Sequence, residues 1–275
     1  MRKRIYSILI LNFVIFFFMS YPLLAFNCKN ITKDKILNEI AVNPFLKAFL
    51  NKSKIVNKRQ VKGLCEVTLS VNNRFFTCYV GKDFTLVGQM YSHGKLVNEA
   101  ILKRLKARTN LEIKKEFLKE RKNIDKSVAI IYKPSKKAHK VLYMFTDPMC
   151  PFCHKAETKI KDVVKKFNVV LKVIFFPVHG QKSDKMAIKA ICKKFNLDKY
   201  LSQEWRKKGD FDKFQCEKGK KLLRQSKLIA KKLNITGVPT FIFEDGTRVR
   251  GANIPFLERT LQKKFKVQSS TFKKH

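Results

Sequence analysis

Acidic residues are scarce in this chain: 21 Asp and Glu stand against 60 Lys and Arg, a formal net charge of +39 over 275 residues. Charge of one sign on this scale raises nucleic acid or anionic lipid as a partner. The lysines, however, are spread along the whole chain, and no zinc finger, RNP aromatics or dense basic arm accompanies them. Specific nucleic-acid binding is therefore not expected, while a general affinity for acidic proteins or a membrane surface stays open. Histidine is scarce too, and His93, His139, His179 and His275 are scattered, with no second CxxC at metal spacing. That leaves no ligand set for zinc. Long apolar runs are absent except at the start, where Ile5 to Met19 is broken only by Ser7 and Asn12. This run is short for a spanning helix. With Arg2, Lys3 and Arg4 before it and Ala25 fitting a cleavage position, residues 1–25 read as an export signal. An uncleaved anchor is the alternative; lipidation at Cys28 is disfavoured because Asn27, not a small residue, precedes it.

Against this background stands Cys150-Pro151-Phe152-Cys153, directly after the apolar strand pattern Val141-Leu142-Tyr143-Met144-Phe145 and directly before a helix pattern. A helix N-terminus presents unpaired N–H groups and positive potential, which favour a thiolate at Cys150. Pro151 suits the first helical turn, where no N–H is required. The same helix buries Cys153 beneath Cys150, where it can resolve a mixed disulfide but cannot easily attack a substrate. With His154 the motif also matches covalent c-type haem attachment, but that needs an open loop and a distal axial ligand. No cofactor or metal is expected.

Export places the other five cysteines where disulfides persist. Cys192 and Cys216 share one helical stretch and can staple it. Cys65 and Cys78 flank a hairpin pattern and can bridge as well, although their register about Asn72-Asn73 is not ideal; Cys28 is then left over. The competing reading makes all five small buried hydrophobes.

The remaining length suggests two domains. Residues 26–97 carry a helix capped by Thr32, a Pro44 break, and strand patterns over 64–71, 75–80 and 85–91 with a hairpin turn at Asn72-Asn73. Such an α+β unit has a thin core and strand edges that invite a second copy. Residues 98–122 contain no Gly or Pro and read as a charged connecting helix. Residues 123–275 read as β-α-β, a helical insertion over about 183–233 with the sole tryptophan Trp205, a hairpin about Asp245-Gly246, and a closing helix over 254–265.

That order, with CxxC opening the first helix, resembles the thioredoxin fold. Thr236-Gly237-Val238-Pro239-Thr240-Phe241 strengthens the likeness, since Pro239 matches the cis proline that faces the thiols in such proteins. More widely, the chain resembles the DsbC/DsbG family of exported disulfide isomerases. The match lies in Val61-Lys62-Gly63-Leu64 through Val87-Gly88-Gln89-Met90, the linker helix, Thr146-Asp147-Pro148-Met149 leading into Cys150 to Lys155, and Thr236 to Thr247. The resemblance implies a periplasmic homodimer joined through cystatin-like N-terminal domains. Two thioredoxin-like domains would face a cleft for misfolded or reduced exported proteins, with a membrane redox partner exchanging electrons. It further implies Cys150 as nucleophile, Cys153 as resolving thiol, Pro239 as the cis proline preceded by Val238, His154 near the thiols, and Cys192–Cys216 as a structural bridge. Two departures, Pro151-Phe152 between the cysteines and Val238 before the proline, lean toward dithiol oxidases. A holdase whose thiols are secondary is the third reading.

Overall fold

The computed structural model describes residues 27–40, 43–207 and 209–265. The expected export signal lies outside them. The chain divides into two compact units that part between Leu105 and Lys106.

The first unit opens with a 3₁₀ turn at Cys28–Asn30, followed by helices α1 (Lys33–Glu39) and α2 (Pro44–Asn51). Each starts where a side chain satisfies a free N–H: Thr32 Oγ1 accepts from Lys35 N, and Asn43 Oδ1 accepts from Leu46 N with Pro44 at the first helical position. Strands β1 (Lys54–Val61), β2 (Leu64–Val71), β3 (Arg74–Val80) and β4 (Thr85–Val87) form an antiparallel sheet in that order, and β5 (Tyr91–Ser92) pairs with β6 (Lys95–Leu96). Asn72 and Asn73 both take positive φ, 48° and 62°, so the β2–β3 turn is of the kind the Asn pair favours. One sheet face carries Cys65, Val67, Leu69, Cys78 and Val80 against Ile36, Leu37 and Leu50 of the helices. The other is polar: Arg59 forms a bidentate pair with buried Glu66, and Asn98 Nδ2 donates to Thr77 Oγ1 at 2.7 Å. Strand β1 was not anticipated. Its Lys-Ile-Val-Asn-Lys-Arg-Gln-Val sequence is only half-buried on alternate positions, the weak signature of an edge strand.

The cysteine pairing of this unit corrects the expectation. Cys65 bridges to Cys28 with Cα atoms 5.2 Å apart, and Cys78 is a buried free thiol. The register is the reason. Cys65 stands opposite Val80 and Cys78 opposite Val67, so the two are diagonal neighbours, too distant for a bridge, while the 3₁₀ turn brings Cys28 to Cys65.

Helix α3 (Glu99–Asp125) buries Ile113, Phe117, Glu120 and Ile124 in its second half. The second unit then orders β7 (Ile130–Tyr132), β8 (Val141–Thr146), α4 (Pro151–Lys166), β9 (Val170–Phe175), α5 (Gly180–Cys192), α6 (Leu197–Leu201), α7 (Glu204–Lys207), α8 (Glu217–Lys232), β10 (Thr240–Phe243), β11 (Arg248–Arg250) and α9 (Ile254–Phe265). The five-stranded sheet runs β11-β10-β8-β9-β7, with β8 and β9 parallel and the rest antiparallel. Central β8 is buried at all six positions, as a strand covered on both faces must be. Alternation assigns its residues. Leu142 and Met144 face a core built with Ile160 and Val164 of α4, Leu257 of α9 and the insertion helices; Val141, Tyr143 and Phe145 face Phe117 and Ile124 of α3 and Ile229 of α8. Each fully buried aliphatic side chain contributes about 1.5–3 kcal/mol. Cys192, the last residue of α5, is bridged to Cys216 at Cα–Cα 5.9 Å, as expected.

Candidate redox site

The site forms where β8 ends and α4 begins. Cys150 is the N-cap of α4, with extended backbone (φ −77°, ψ 120°), and Pro151 occupies the first turn. His154 N donates to Cys150 O at 3.1 Å, closing the first helical turn. Cys150 is 4% exposed and Cys153, below it on the same helix, is fully buried. Both sulfurs are free thiols. Burial pushes the Cys153 thiol well above the ordinary cysteine range, against partial relief from a hydrogen bond with the Thr146 side chain. Burial therefore favours the neutral thiol at Cys153.

The opposite wall is the start of β10. The Val238–Pro239 peptide bond is cis, and the Val238 carbonyl accepts from Cys150 Sγ at 3.7 Å. Strand β10 pairs with β8 through Thr240 opposite Phe145, which sets the proline across from the cysteines. Pro239 has no N–H to offer there. His154 behaves otherwise than a partner of the thiols: its Nε2 is 2.7 Å from the Pro148 carbonyl, so the ring braces the loop before Cys150. Two apolar side chains beside this loop are exposed: Phe152, between the cysteines, at 66%, and Val178, whose N–H donates to Asp147, at 49%.

Two further groups had no role assigned from the sequence. Asp147 is fully buried and collects Met149 N at 2.7 Å, Val178 N at 2.7 Å, His179 Nδ1 at 2.7 Å, His179 N at 3.2 Å, and the Ser183 hydroxyl. Burial alone would raise its pKa; the donors from Ser183, Val178, His179 and Met149 outweigh burial and hold the carboxyl below its ordinary value. The carboxylate thereby fastens the loop before Cys150 to the chain leaving β9. Glu157, one turn beyond Cys153, is 2% exposed and pairs with Arg206. A signal for it existed: Glu157 falls among Ala156, Ile160, Val163 and Val164 on the apolar side of α4, where a carboxylate needs a reason. Among the described residues no three His, Cys, Asp or Glu side chains gather as a metal site.

Residues 127–258 match the family model of the thioredoxin-like domain. No curated protein matches the chain. Solved structures with a similar fold include the thiol-disulfide exchange protein α-DsbA2 from Wolbachia pipientis, at 19% identity over 57% of this chain and 97% of that one (TM-score 0.47). The catalytic domain of Proteus mirabilis ScsC aligns at 20% identity over 56% and 98% (TM-score 0.45). DsbG from Helicobacter pylori aligns at 20% identity over 70% and 94% (TM-score 0.34). The family match, the β-α-β core with its antiparallel hairpin, and the cis proline across from CxxC together make the C-terminal unit a thioredoxin-like α/β domain with a helical insertion.

Proposed function

We propose that this protein is an exported thiol–disulfide oxidoreductase that reshuffles incorrect disulfides in secreted proteins through Cys150 and Cys153. The supporting observation is the placing of Cys150 Sγ at the N-terminus of α4, above buried Cys153 and against the carbonyl before a cis proline. In this reading the Cys150 thiolate attacks a substrate disulfide. A bond forms between Cys150 and one substrate sulfur, and the other substrate sulfur leaves as thiolate. The freed thiolate attacks another disulfide of the substrate, and the thiolate this liberates attacks the substrate sulfur bonded to Cys150, forming a new substrate disulfide and releasing Cys150 as thiolate; or Cys153 displaces the substrate and leaves the pair oxidised. An external reductant resets the pair in that second case. No metal or organic cofactor enters either route. The exposed ring of Phe152 and Val178 offer apolar contact to an unfolded chain.

Residues 26–97 would pair two copies in the periplasm; edge strand β4 with exposed Leu86 supports this reading. Light scattering on the exported form and on a deletion of those residues tests it. A second reading, dithiol oxidase, is favoured by Pro151-Phe152 and Val238, which would set a more oxidising pair that receives electrons from substrate thiols and passes them to a membrane oxidant. The deciding experiment follows reactivation of a scrambled multi-disulfide substrate in glutathione buffer beside oxidation of the same substrate fully reduced, with Cys150→Ala as control. Rescue lost in the control supports the isomerase; fast oxidation with little rescue supports the oxidase; equal activity in the control sinks both in favour of a holdase.

A further inference from the structure

Strand β11 is an open edge of the five-stranded sheet, bonded to β10 on one side and, among the described residues, to no strand on the other. The hairpin fixes which of its backbone groups are spent. Phe243 N donates to Thr247 O at 2.9 Å, and Gly251 N donates to Pro239 O at 2.8 Å. Alternation turns the groups of Val249 toward β10 as well, and leaves the N–H and C=O of Arg248 and Arg250 pointing outward. The side chains alternate too: Val249 is buried in the core with Leu257 of α9, so Arg248 and Arg250 lie on the α3 side. A cleft of about 520 Å³ runs along this edge, walled by Asn110, Ile113 and Lys114 of α3 and by Phe256 of α9, which is 47% exposed. None of the described residues that line it is acidic. Arg248 is the anomaly. Its Nη1 donates to Leu233 O at 2.6 Å, but Nε and Nη2 are buried without a partner. Burial and the charge of Arg250 push its pKa down to about 10. Buried donors left unpaired are costly, and here they belong to a residue that lines a cationic cleft beside unspent backbone groups.

We propose that β11 takes up an extended acidic segment of a partner protein, which pairs with the backbone of Arg248 and Arg250 as a further strand. The N–H and C=O groups of the segment would meet the outward groups of the two arginines. Acidic side chains on one face of the segment would meet Lys114, Arg248 and Arg250, and apolar ones on the other would lie on Phe256. Charge selects this occupant. A second copy would set the same arginines against each other, and like charges across a strand pair are destabilising. Residues 266–275 of this chain carry Lys266, Lys273 and Lys274 and no acid, so they are disfavoured on the same ground. A segment docked here would end beside Pro239, whose carbonyl accepts from Gly251, and it would make no use of the thiols.

The test titrates the full exported chain with a fluorescent short peptide of alternating glutamate and valine, read by anisotropy, and follows backbone amide exchange by NMR. The wild type should bind. Exchange at the Arg248 and Arg250 amides, fast in the free protein, should slow on binding, while Val249 stays slow throughout. A peptide with lysine in place of glutamate, or one N-methylated along its backbone and so without donors, should not bind. Arg250→Glu should weaken binding by about tenfold or more and leave disulfide exchange unchanged. Arg248→Met should weaken binding too, but it also alters the packing of the hairpin, so Arg250→Glu decides. Cys150→Ala should bind as the wild type does. Equal binding of the N-methylated peptide overturns the strand pairing, as does an unaltered affinity in Arg250→Glu or the absence of binding to the wild type. Slow exchange at Arg248 and Arg250 before peptide is added, lost on dilution, gives the edge to a second copy and overturns the acidic occupant. Loss of binding in Cys150→Ala moves the peptide to the redox site and overturns the placement. Binding intact in a wild type that shows no disulfide exchange supports this surface and sinks the exchange reading alone.

Discussion

Two cysteines in the second unit occupy the same structural position and are put to opposite uses. Cys150 is the N-cap of α4, and Cys216 is the N-cap of α8; both have extended backbone at φ near −75° and meet the same unpaired N–H groups. Cys216 Sγ accepts from Gly219 N at 3.3 Å and is bonded to Cys192. Cys150 Sγ caps nothing and faces the Val238 carbonyl. A helix N-terminus therefore does not by itself make a reactive sulfur. The difference lies in what surrounds it: a second thiol on the next turn and a proline wall in one case, a neighbouring helix that supplies a permanent partner in the other. Exposure runs opposite to use, for Cys216 is exposed and Cys150 nearly covered.

The comparison is broken most sharply by exchanging losses. Cys150→Ala should abolish disulfide exchange and leave urea unfolding almost unchanged. Replacing Cys192 and Cys216 together by Ala should keep exchange while lowering stability by about 3 kcal/mol, read as a shift of the urea midpoint. Next in size is Gly219→Ala. A Cβ there would stand 2.7 Å from Cys192 Sγ and 2.9 Å from Ile188 Cγ2, so overpacking should cost about 1–3 kcal/mol in the oxidised protein. The cost should fall once the bridge is removed and its sulfur no longer fills the space.

Asp147→Asn probes the loop that carries Cys150 and should cost about 1–3 kcal/mol at neutral pH through mispaired buried donors. Because the folded-state pKa of Asp147 is lowered, its ionisation contributes stability in full above the unfolded value of about 3.9. The contribution is lost as pH falls through the folded value. The gap between wild type and variant should accordingly narrow in acid; a gap independent of pH would remove the carboxylate from this role. The smallest effect concerns Cys78, whose thiol burial pushes up to about 11. In native protein iodoacetamide should label Cys150 and spare Cys78 and Cys153, as peptide mass mapping would show, and Cys78→Ala should cost about 1 kcal/mol.

Legibility from the sequence followed the strength of local signals. Strand β2 and helix α9 coincide with the ranges read from their apolar patterns, and Asn72-Asn73 supplied the turn between β2 and β3. CxxC and the Val-Pro-Thr strand opening located both walls of the site. Edge strands β1 and β7 were missed: β1 is only half-buried, and β7 has three residues, too few to show a period. The Cys28–Cys65 bridge was illegible because pairing is a tertiary fact: nothing near residue 28 says which strand it will cover. Asp147 was quoted within a motif without its role, since apart from Met149 N its donors come from Val178, His179 and Ser183, distant in sequence. Arg206, from a four-residue helix in the insertion, gave no local sign that it meets Glu157.

Placing both thiols on successive turns of one rigid helix also sets a clock. In the proposed exchange, a substrate held on Cys150 would sit beside a second thiol whose position is fixed in advance, so release would compete with rearrangement at a rate set within the protein rather than by concentration. Complete burial favours the protonated form of that second thiol and would lengthen the interval. In the proposed isomerase, how long a misfolded chain would have to find a better pairing before it is let go would thus be decided beneath the surface, by a sulfur the substrate never touches.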